Sequence, residues 1–210
     1  MKLKLIYLTI VCVLVFSISI AEALQYQVLN YPGRTGVGGP FIINPIDGSP
    51  DFYTFCLETT EYINLNGIYY GTIDPYAVYG GVGGTSSTTD PLSTESMKLY
   101  DYALDNWASL DIANLTAIQQ AIWAYEGEGN SLSGLAKSYY DAAPSYNLDR
   151  NIMVVNLWTG DVSEPYNNSE DFSKRAQSML IAVPEPSTLL LLGAGLVGLG
   201  LLGRKKFKAR

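Results

Sequence analysis

Two residues carry unusual chemical potential for their surroundings: Cys56 in TFCLE (54–58) and Gln119 in AIQQAIW (117–123). The chain has two cysteines, and Cys12 lies in an apolar N-terminal run that is expected to be removed, so Cys56 stands alone in the mature protein. A lone thiol in an oxidising compartment calls for explanation. It is either a small buried hydrophobe between Phe55 and Leu57, or a nucleophile joined to something other than sulfur. Gln119 raises the matching question. Taking Leu115 as the centre of a helical apolar stripe, Gln119 falls roughly 40° away, inside the stripe, and Gln120 roughly 140° away. An amide aimed into a core must be bonded there or cost a few kcal/mol. Attack of the Cys56 sulfur on the Gln119 carboxamide, with loss of ammonia, would give an intramolecular thioester.

Other chemistries are poorly served. The chain contains no histidine, which removes Ser-His and Cys-His dyads and His-ligated zinc. A single mature cysteine removes CxxC pairs and thiolate clusters. The stretch DGSPDFYTFCLE (47–58) places Asp47, Asp51 and Glu58 at calcium-loop spacing, but Phe52 stands where such a loop needs glycine. No two carboxylates stand out as a glycosidase pair. No catalytic residue, metal or cofactor is expected, and the protein is read as a non-enzyme.

These residues must be positioned by elements of two kinds. Strand patterns cover 25–30, 40–46, 52–58, 62–65 and 68–73, and again 152–158 and 177–183. Between them, a Gly/Ser/Thr-rich linker (80–91) leads into helical periods over 94–109, 112–125 and 132–142, with Ser93 or Thr94 as a cap for the first. The order predicts an α+β domain in which a β-rich barrel or sandwich packs with a helical subdomain. The Tyr/Gly-rich stretch 66–84, with Tyr69, Tyr70, Tyr76 and Tyr79, reads as hairpins and turns, or as a carbohydrate-facing surface.

With the residues in place, a resemblance emerges. Phe55-Cys56-Leu57-Glu58, followed by Gln119-Gln120-Ala121-Ile122-Trp123, resembles the thioester domains of bacterial surface proteins, departing from their pattern at Gln120 and at Ala124. The resemblance implies a cross-linked Cys56–Gln119 pair shielded by Phe55 and Trp123, located between a β-rich and a helical part. It also implies capture of an amine or hydroxyl nucleophile from a target surface, as a covalent adhesin.

Both ends read as addresses. Lys2 and Lys4, an apolar run over 5–20 and Ala21-Glu22-Ala23 form a signal peptide, 1–23, for signal peptidase. Val183-Pro184-Glu185-Pro186, an apolar run over 189–202 and a basic stop containing Arg204, Lys205 and Lys206 resemble the PEP-CTERM sorting signal of exopolysaccharide-making Gram-negative bacteria. That run gives roughly 21 Å of helix, short for a hydrocarbon core of about 30 Å. The resemblance makes residues 183–210 a temporary transmembrane anchor for an exosortase-type protease. The precursor would sit in the inner membrane with its C-terminus cytoplasmic, and the product on the cell surface or in the matrix.

The exported domain, 24–182, has six basic residues against 18 acidic ones, a net charge of −12. Nucleic acid is therefore an unsuitable partner. Two functions fit: a covalent adhesin acting through Cys56 and Gln119, or a non-covalent structural component of an exopolysaccharide biofilm matrix.

Overall fold

Tyr26 and Val28 alternate with Gln25, Gln27 and Leu29 along strand β1 (Leu24–Asn30), and the alternation buries the first pair while the others line the outside. In this computed structural model, which describes residues 24–36, 38–78, 89–129, 131–160 and 174–184, β1 is the seed of a six-stranded sheet. It pairs antiparallel with β2 (Phe41–Pro45) on one side and β4 (Ile68–Asp74) on the other. Beyond β2 lies β3 (Phe52–Thr54). A two-stranded ribbon of β5 (Tyr76–Ala77) and β6 (Asp90–Pro91) precedes the helices. β4 then pairs with β7 (Asn151–Trp158), and β7 with β8 (Arg175–Val183).

The outer strands of this sheet meet. Cys56, just past β3, bridges Met179 of β8; the Leu57 amide donates to the Ser178 carbonyl at 2.9 Å, and the Leu180 amide to the Phe55 carbonyl at 3.2 Å. The sheet is therefore nearly closed into a barrel, and its edge hydrogen-bonding groups are largely consumed. The barrel is the alternative realised of the two expected from sequence.

Three helices fill the chain between β6 and β7: α1 (Thr94–Asn106), α2 (Ile112–Tyr125) and α3 (Gly134–Ala142), followed by a short 3₁₀ turn, Ala143–Ser145. Local chemistry sets their ends. Ser93 accepts from the Ser96 amide and Asp111 from the Asn114 amide, each satisfying a donor that the first turn leaves open. Gly127, at φ +74°, lets the chain leave α2 in a left-handed turn.

Residue alternation splits the interior into two cores. Val28, Ile43, Val155, Leu157 and Met179 fill the barrel together with Cys56, whereas Phe55, Leu57, Val154 and Leu180 face outward onto Leu99, Leu115, Ile118 and Ile122 of the helices. The segment 55–57 is thus a wall with one side in each core.

Some expectations shift. Residues 62–65 form a loop, since Asn66 turns the chain at φ +65° and the Tyr69 hydroxyl takes the Asn64 amide at 2.6 Å. The strand expected over 52–58 ends at Thr54, and the third helix begins at Gly134. Among the described residues no helix is long and apolar enough to cross a membrane. The segments read as signal peptide and anchor, most of the 80–91 linker, Tyr79, Glu185, Pro186, Arg204, Lys205 and Lys206 lie outside the described residues. Val183 is the last residue of β8, and Pro184 is exposed just beyond it.

Candidate functional site

Gln119 lies on the inner face of α2, only 1% exposed, flanked along the stripe by Leu115, Ile118 and Ile122. Its carboxamide meets the backbone of the wall segment. Nε2 donates to the Cys56 carbonyl at 2.8 Å, while Oε1 accepts from the Cys56 amide at 2.9 Å and from the Gly39 amide at 2.9 Å. The side chain behaves as a strand partner for residue 56, and it joins helix to barrel. The structure thus brings together the two residues singled out by sequence, sixty-three positions apart.

The third participant is Gly39, just before β2. A β-carbon there would stand 2.7 Å from Gln119 Oε1 and 3.2 Å from the Phe55 α-carbon. Glycine is thus what permits the amide to reach the carboxamide oxygen. Its neighbour Gly38 has φ +85°, and a β-carbon would lie 2.4 Å from the Trp123 ring. Arg34 fastens this loop: Nη1 donates to the Gly36 and Gly38 carbonyls at 3.0 and 2.7 Å, Nε donates to Asn30 at 2.7 Å, and the guanidinium lies 4.5 Å over the Phe41 ring.

A pocket of about 190 Å³ reaches Cys56 from outside; Arg34, Gly38, Glu58, Glu61, Trp123 and Gln177 are among its walls, with Tyr62, Ile63 and Leu65 also lining it. Burial pushes the Cys56 thiol well above its ordinary range, so it is held protonated. Burial, reinforced by the neighbouring Glu61 and Glu128 carboxylates, pushes Glu58 up to about 9. Glu61 is raised by burial to about 7, against the pull of Arg175, whose Nε lies 2.6 Å from its carboxylate. Glu128 accepts from the Thr59 amide and hydroxyl at 2.9 and 2.7 Å. Gln177 donates to the Glu58 carbonyl at 2.7 Å, fixing that end of the wall to β8.

Trp123 borders the pocket and touches the loop at Gly38, whereas Phe55 points into the helical core against Tyr100 and Trp107. Asp47 and Asp51 serve the turn after β2, accepting from the Ser49 amide and the Asn44 side chain. Among the described residues no group of three His, Cys, Asp or Glu is placed to hold a metal.

Gly39 is the site residue that sequence reasoning passed over, while Glu58 is quoted in the TFCLE motif without a role of its own. Glu58 lies two positions from Cys56 in sequence and lines the same pocket. Gly39 had no such signal, because its role depends on a contact eighty residues away.

No curated protein and no solved structure matches the chain. The family comparison is positive at the C-terminal end, where residues 182–206 match the model described as the PEP-CTERM protein-sorting motif, beginning inside β8 and ending in the basic stop. The chain carries the PEP-CTERM sorting motif and is thereby a secreted, membrane-processed protein of the exosortase system, destined for the cell surface.

Proposed function

We propose that the exported domain is a single-use covalent adhesin, in which Cys56 and Gln119 form a thioester that captures an amine or hydroxyl nucleophile on a target surface. The observation that supports it is the seating of the Gln119 carboxamide on residue 56, with Oε1 held by two backbone N–H donors. Attack of the Cys56 sulfur on the Gln119 carboxamide carbon places negative charge on that oxygen. The Gly39 and Cys56 amides are preorganised to stabilise it. The thiol proton passes to the departing nitrogen, which leaves as ammonia, and the acyl–sulfur bond remains. The protein would act once per molecule, as a reagent rather than an enzyme.

One observation favours a second reading. The Gln119 amide is satisfied as it stands, through three hydrogen bonds to the wall and the loop. It could serve only as a strut between barrel and helices in a structural component of the exopolysaccharide matrix. Intact mass of the full chain, purified in detergent, separates the two. The adhesin reading expects a protein lighter than its sequence by one ammonia, which gains one methylamine and frees one thiol on treatment; Cys56→Ala and Gln119→Ala abolish both effects. A mass equal to the sequence, with a thiol alkylated on unfolding, would establish the strut.

A further inference from the structure

The pocket that reaches Cys56 holds a group the thioester chemistry above leaves unused. Glu58 is 2% exposed, it lines the pocket beside Cys56, and its Oε2 has no hydrogen-bond partner among the described residues. A buried carboxyl oxygen without a partner is costly unless something occupies that position in use. Its surroundings are acidic. Glu61, Glu128, Glu126 and Asp90 act on it electrostatically, Arg175 is engaged by Glu61, and Arg34 stands across the pocket with Nε and Nη1 bound to Asn30 and the loop.

We propose that the pocket admits a primary amine of the lysine type, and that Glu58 carries the proton from that amine to the Cys56 sulfur. This rests on the thioester reading of Cys56 and Gln119. In the resting pocket Glu58 holds a proton. An entering alkylammonium displaces that proton to solvent and pairs with the carboxylate, leaving the pocket's charge unchanged. The ammonium then passes one proton to Glu58, and the neutral nitrogen attacks the Gln119 acyl carbon. As the carbon–sulfur bond breaks, with its electron pair remaining on sulfur, Glu58 protonates the sulfur and takes the second proton from nitrogen. The products are a secondary amide at Gln119, a Cys56 thiol and a protonated Glu58, so each proton of the ammonium is placed. Two energetic arguments support the route. Glu58, at about 9, is close to an alkylammonium near 10, so the first transfer is nearly level. A thiolate is disfavoured in this burial, so departure of sulfur needs a proton at hand. A hydroxyl nucleophile gains nothing from the acidic lining, which makes the pocket selective for cations.

The test uses the full chain in detergent, wild type and Glu58→Gln, with methylamine, which arrives as a cation, and hydroxylamine, which arrives neutral. Both proteins should be light by one ammonia, showing that the bond forms without Glu58. The variant should capture methylamine about a hundredfold more slowly, with a much smaller loss for hydroxylamine. An equal loss for both probes, or methylamine capture at the wild-type rate, would overturn the proton-carrier role while leaving the thioester intact. A wild-type protein of full sequence mass would overturn the thioester and this proposal together. Should Glu58→Gln fail to fold, Glu58→Met, which also lacks a group that can carry the proton, gives the same comparison of probes, and an unchanged ratio again defeats the idea.

Discussion

At the scale of single residues, the pocket carboxylates store a cost that pH should reveal. The unfolded chain binds the Glu58 proton only below about pH 4.5, whereas the folded protein keeps it up to about 9. Between those values the native state holds more protons than the unfolded state, so stability falls as pH rises through the window. Glu61 acts with the same sign up to about 7, and Glu126, raised by burial, adds to it. Urea unfolding should therefore show the domain less stable at pH 8 than at pH 5. Glu58→Gln, which removes the ionisation and keeps the shape, should recover a few kcal/mol at pH 8 and flatten the dependence. A variant as pH-sensitive as the wild type would show that Glu58 is ionised and solvated in the native state.

At the scale of elements, the loop of residues 33–40 is the part most exposed to a small change. Gly39→Ala puts a methyl group within 2.7 Å of Gln119 Oε1 and against the Phe55 backbone. Backbone on one side and a doubly bonded amide on the other leave little room to yield. We expect a loss of about 1–3 kcal/mol in urea unfolding, together with a smaller ammonia deficit if the thioester forms; unchanged stability would mean that the loop moves freely on α2. This loop also shows what sequence can convey. The helix over residues 112–125 is legible, because Leu115, Ile118, Ile122 and Tyr125 recur at helical spacing and Glu126-Gly127 end it. The buried placement of Gln119 follows from that same period. Residues 62–65 mislead, since Tyr62, Ile63 and Leu65 resemble strand residues, while Asn64, Asn66 and Gly67 set a turn whose amide is taken by the Tyr69 hydroxyl. The donor role of Gly39 and the closure of residue 56 onto Met179 are contacts of long separation, and local patterns contain no record of them.

At the scale of the whole molecule, the sorting motif and the fold share a strand. The match begins at residue 182, inside β8, yet β8 is the strand that closes the barrel, pairing with β7 on one side and with the Cys56 segment on the other. Ser178, Met179 and Leu180 supply that closure, so the strand has to remain with the exported product. Pro184 marks the limit: it has no N–H to extend the ladder with β7, and it stands exposed. Any cut on its C-terminal side spares every pairing described, from Asn151 with Val183 inward. A chain ending at Pro184 should thus unfold in one cooperative transition at a midpoint close to that of the uncut protein. A chain ending at residue 174 should not fold, because it loses β8 and exposes Val154, Val155 and Leu157 along β7, which keeps β4 on one side and is bared on the other. Circular dichroism with urea titration of the two truncations is the check. Cooperative folding of the shorter chain would mean that β8 is an appendage of the sorting signal, and that the wall bearing Cys56 is held by the helices alone.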